Sequence, residues 1–195
     1  MLINTHGSRD TATANTAIQD FFDCYTLPDA LQVMDSIITA ACSTKAWKGK
    51  APFHVLFFMQ HLQQLFEAAA VLQQRHAQLD TVKLPAGKKT PDMQQLQQYC
   101  NPFSDNGAWH WFPRHLGRKQ YTDPYRVLGR FSKQFPGHRA QELAAALTEY
   151  ALSTYAIDGE YDAGWVLTAR RHLLQLIEAC HLILVRMQHT VNSKQ

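Results

Sequence analysis

Apolar residues recur along this chain at intervals of three and four, the pattern of amphipathic helices that each bury one stripe. Ile18, Phe21, Phe22 and Tyr25 predict a short helix from about Asn15, preceded by a polar and aperiodic stretch, 1–13. Pro28-Asp29 opens a second helix, because proline fits the first turn, where its missing N–H is not needed. Its stripe is Leu31, Met34, Ile37, Ile38 and Ala41, and it ends near Ser43-Thr44. Pro52 starts a long third helix, to about Leu79, with Val55, Phe58, Met59, Leu62, Leu65, Phe66, Ala69 and Leu72 on one face.

A Pro- and Gly-rich loop over 81–91 leads to a short helix predicted over Pro91–Tyr99, and residues 101–122 show no period. Asp123-Pro124 opens another short helix, through about Gln134, which Pro136-Gly137 breaks. A helix over about His138–Thr154 and a last one over about Gly164–Gln188 complete the pattern.

The last helix contains His172-Leu-Leu-Gln-Leu-Ile-Glu-Ala, and the third contains His61-Leu-Gln-Gln-Leu-Phe-Glu-Ala. Residues 14–78 slide onto 124–189 at an offset of 110, which becomes 111 after one extra loop residue, with 16 identities in about 65 pairs. Ser-Thr-x-Ala-x-x-Gly occurs in both loops, and His61, Gln64, Glu67 and Arg75 meet His172, Gln175, Glu178 and Arg186. Shared helical composition does not readily produce those polar matches, so the expectation is an internal duplication.

The fold expected is an all-α, pseudo-two-fold helical bundle in a single domain, with repeat 1 over about 14–79, an insertion over about 80–123, and repeat 2 over about 124–190. Four main helices (28–44, 52–79, 138–155, 163–188) form it, and two short ones cap it. At 100° per residue, His61, Gln64, Ala68 and Arg75, with their counterparts His172, Gln175, Ala179 and Arg186, fall opposite the apolar stripe. Either the long helices cross so that each His faces the other copy's Arg, or this is a solvated face.

Charge is uneven. Residues 101–139 hold seven Lys/Arg against two Asp/Glu, whereas 1–100 hold eight against eight and 140–195 hold four against six. An excess of that kind concerns partners and not fold. The opening residues are too polar for a signal peptide, no apolar run approaches a membrane span of roughly 18 residues, and a cytoplasmic protein is expected. Cys24, Cys42, Cys100 and Cys180 lack metal or redox spacing and read as buried thiols.

Two regions carry candidate chemistry. Trp109-His-Trp-Phe-Pro-Arg114-His-Leu-Gly-Arg118-Lys119-Gln-Tyr121, continued by Tyr125 and Arg126, interleaves aromatics with cations. Trp, Tyr and Arg dominate the energetics of protein interfaces, so Trp109, Trp111, Arg114, Arg118, Tyr121, Tyr125 and Arg126 are the candidate contacts of a non-enzymatic binding module. Its partner is a protein or an anionic ligand; single-stranded nucleic acid or a nucleotide-like anion is a weaker alternative. A homodimer through the outside of either copy is a further arrangement. The second region, His61, His172, Glu178 and His181, would serve a metal-dependent or acid–base enzyme with a pocket between the long helices. Glu178 and His181 have the Glu-x-x-His spacing of di-iron bundles, but the first repeat has Ala70 at the histidine position, so no metal or cofactor is assigned.

Overall fold

A computed structural model describes the backbone of residues 5–48, 51–78 and 112–192. The described residues form seven α-helices and no strand: α1 Thr5–Cys24, α2 Leu27–Ala41, α3 Pro52–Gln78, α4 Arg118–Thr122, α5 Tyr125–Gln134, α6 His138–Leu152 and α7 Ala163–Asn192. The short helix expected over Pro91–Tyr99, the 81–91 loop, Cys100, Trp109 and Trp111 lie outside the described residues.

Local chemistry sets several of the boundaries. Thr26 caps α2, its hydroxyl accepting the Asp29 N–H at 3.3 Å, with proline at the helix start and the Asp29 carboxylate in the first turn. Gly137 enters α6 at φ 34°, a conformation that side chains other than glycine's rarely adopt, so the Pro136-Gly137 break is a backbone requirement. At the end of α2 the Ser43 hydroxyl donates to Ala40 O (3.2 Å) and accepts the Lys45 N–H (3.2 Å). At the end of α6 the Ser153 hydroxyl donates to Tyr150 O (3.3 Å) and accepts the Tyr155 N–H (3.2 Å), the same turn.

The core is a layered bundle. α1 packs along α3, α5 packs on both α3 and α7, α2 lies against α6 and α7, and α6 lies against α3. Helix α7 is the centre: every residue from Leu173 to Leu184 is buried, which an amphipathic surface helix does not do. Around it close Phe21, Leu27, Met34, Ile37, Phe58, Leu62, Leu65, Leu128 and Leu147, each fully or almost fully buried. Pro52–His76 of α3 is long and apolar enough to meet the composition of a membrane span, and half of that stretch is buried inside the bundle.

Three expectations need correction. The first helix is not a short cap beginning near Asn15: it starts at Thr5 and runs 20 residues. Ala14, Ile18 and Phe21 anchor it in the core, and extending an anchored helix costs far less than nucleating one, so the polar residues before them join it. The aperiodic 101–122 stretch contains α4, a single turn. The cysteines are not uniformly buried: Cys24 and Cys42 are exposed and Cys180 is buried, because Cys42 ends α2 just beyond the stripe that faces the core.

Burial pushes the Cys180 thiol strongly up, and burial with the nearby Asp158 raises Cys42 more modestly. The thiolate is the reactive form, so the three should separate in rate. Alkylation of the native protein with iodoacetamide, read by peptide mass spectrometry, should label Cys24 first and Cys42 next. Cys180 should label only after denaturant is added. Labelling of Cys180 at the rate of Cys24 would contradict this packing.

Candidate functional site

Three polar side chains are buried on the central helix: Gln175, Glu178 and His181. Glu178 is wholly inaccessible. A carboxylate there loses its water, and only strong hydrogen bonds offset that cost. Three donors supply them, all from two adjacent residues. The Arg114 N–H donates to Oε1 at 2.6 Å, the His115 N–H to Oε2 at 2.8 Å, and the His115 ring lies with Nδ1 2.8 Å from Oε1. Backbone and ring of His115 thus meet the same carboxyl group.

The neighbouring turns of α7 extend this clamp. Gln175 donates from Nε2 to His115 O (2.9 Å), and its Oε1 accepts from Gln120 Nε2 at 3.4 Å. Gln120, also buried, accepts the Gly117 N–H at 2.8 Å, closing the turn that starts α4. Arg186 donates to Tyr121 O (2.6 Å) and Thr122 O (3.3 Å), with its guanidinium 5.7 Å from the Tyr121 ring centre. Gln175, Glu178 and Arg186 fall on one stripe of α7 at helical spacing. Residues 112–122 therefore form a strap held by its main chain.

Holding the main chain leaves the strap's charged side chains outside. Arg114, Arg118 and Lys119 are exposed, as are Arg126, Arg130 and Lys133, which share one face of α5. Arg126 pairs with Asp123 at 3.1 Å. The aromatics expected beside these cations are partly packed inward. Tyr121 is half-buried against Phe112, and Tyr125 stacks on His76 at 4.3 Å between ring centres.

The residues considered for acid–base or metal chemistry are not gathered in one pocket. His61 sits edge-on to Phe57 (4.5 Å), His172 edge-on to Phe135 (6.0 Å), and His181 edge-on to Phe22 (5.0 Å). Among the described residues no three His, Cys, Asp or Glu side chains are grouped to hold a metal ion. Glu178 does have a histidine partner, but it is His115 from the strap and not His181 from the next turn. Sequence reasoning missed His115; its only signal was its place in the aromatic and basic stretch.

The repeated face also differs from expectation. Gln175 and Ala179 are buried on α7, whereas on α3 Ala68 is buried and Gln64 exposed, so the face is solvated in only one copy. Arg186 bonds to the strap, and His172 lies by Arg130 and Arg171. Those two cations add to burial, the larger cause, in lowering the His172 pKa. Neither a protein-family model, nor a curated protein, nor a solved structure matches this chain.

Two measurements test the clamp and the buried histidine. Replacing Glu178 with Ala leaves two backbone amides and an imidazole without their acceptor, which should cost about 2–4 kcal/mol in denaturant unfolding. It should also raise hydrogen exchange selectively over 112–122, and unchanged exchange there would refute the clamp. His181 is lowered from 6.5 to about 4 by burial alone. The unfolded chain therefore takes up a proton before the folded one, and stability is lost as pH falls from 6.5 towards about 4. At about 1.4 kcal/mol per pH unit the loss is on the order of 3 kcal/mol. Replacing His181 with Leu should flatten the unfolding free energy over that window, and an unaltered slope would contradict the assignment.

Proposed function

We propose that this chain is a non-enzymatic binding protein that holds an acidic protein partner on the cationic side of α4 and α5. One observation carries the reading. The strap and α5 present Arg118, Lys119, Arg126, Arg130 and Lys133 to solvent, while the backbone of the strap is fixed by hydrogen bonds to Glu178 and Arg186. A rigid cationic stripe favours an anionic surface through both attraction and the low entropy of docking. Arg126, Arg130 and Lys133 also match the i, i+4, i+7 spacing at which one helix face can meet another.

We also infer that the bundle arose by internal duplication. Support comes from the matched sequence blocks, from the identical serine turns after α2 and α6, and from the pairing of helices. The packing of α1 on α3 has its counterpart in α5 on α7, and that of α2 on α7 in α6 on α3. The strap is then the end of the insertion between the copies.

Fluorescence anisotropy with a labelled oligoglutamate and a labelled oligothymidylate tests the function. The wild type should bind oligoglutamate with an affinity that falls as salt rises. The triple variant Arg118→Glu, Arg126→Glu, Arg130→Glu, all at exposed positions, should bind at least about tenfold more weakly. Tighter binding of the oligothymidylate would transfer the stripe to nucleic acid. No binding of either would refute it.

A further inference from the structure

A second feature involves the start of the strap. Between α2, the loop that follows it and the strap lies an open groove of about 830 Å³. Its apolar part includes Leu31 and the half-buried Trp47. Lys45 and Lys48 line it from the loop, and Arg114 and His115 from the strap. Asp35, the one carboxylate in its wall among the described residues, is already engaged by Arg170 through two bonds of 2.8 and 3.0 Å. That leaves three cations around a partly apolar surface.

The walls are fixed before any ligand arrives. The backbone N–H of Trp47 donates to Ala151 O at 2.8 Å, pinning the loop to the end of α6, and the Ser43 turn closes its start. On the other side Glu178 holds both the backbone and the ring of His115. Groups held in place before binding lose little entropy when a ligand docks. Side chains carrying the same charge around one concave surface repel one another, and an anion placed among them relieves that repulsion.

We propose that this groove binds a small aromatic anion, a ring carrying a phosphate or carboxylate. The ring packs against Trp47 and Leu31, and the anionic group lies among Lys45, Lys48 and Arg114. The site is distinct from the cationic stripe of α4 and α5 and does not depend on the partner proposed for it.

Titration of the ¹⁵N-labelled protein with phenyl phosphate tests the assignment, the Trp47 indole signal being identified with Trp47→Phe. Saturable shifts are expected in that signal and in the amides of 45–48 and 114–115. Phenol, which lacks the charge, and inorganic phosphate, which lacks the ring, should each bind at least about tenfold more weakly, a loss of ~1.4 kcal/mol. The double variant Lys45→Ala, Lys48→Ala changes exposed side chains only. It should weaken phenyl phosphate by a similar factor and leave the rest of the spectrum unchanged. Shifts confined to 118–133, equal binding of phenol or of phosphate, an unaffected double variant, or no saturable shift would each overturn the proposal.

Discussion

A carboxylate inside a helical bundle has no solvent to support it, and in this chain the support comes from a segment without regular structure. Glu178 accepts from two consecutive backbone amides and the imidazole that follows them. Removing either side of that arrangement would strand the other: a bare carboxylate in the core, or main-chain donors against an apolar helix. The two therefore order each other. Because α7 holds the strap through its backbone, the His115 and Tyr121 rings and the Gln120 amide, the cationic strap side chains are not consumed by the folding contact. Their charge stays available outside.

Helical periodicity located the main helices to within a few residues, since their stripes are local facts of the sequence. It also marked Pro28, Pro52 and Pro136-Gly137 as boundaries, where the backbone itself dictates the chemistry. It failed where the deciding contact is distant in the chain. Glu178 and His181 are three residues apart, a spacing that suggests cooperation, yet α1 covers His181 with Phe22 while the strap covers Glu178. The partner of Glu178 is 63 residues away in a stretch with no period. Burial at helix ends was equally hard to read: Cys42 follows an apolar run but sits one residue past the last buried position, Ala41.

The matched polar residues of the two halves show how context assigns roles. Gln64 and Glu67 on α3 are exposed and Arg75 is half-buried, whereas Gln175 and Glu178 on α7 are buried. Arg186, the counterpart of Arg75, is spent on strap carbonyls. The same stripe is a wet surface in one half and a buried latch in the other, and the strap makes the difference. On the duplication reading, two equivalent helices became unequal when one received a covering segment, with no change in the stripe residues themselves.

That inequality gives the two halves different surfaces. On the duplication reading, a bundle without the strap would offer two similar polar faces. Covering one of them removes water from its carboxylate and stiffens eleven residues of strap. It also brings Arg114 and His115 opposite a loop of α2 with which they share no sequence proximity. The groove and the cationic stripe thus both border the segment that Glu178 holds. Losing the Glu178 contacts would loosen both surfaces together, although neither of them includes Glu178.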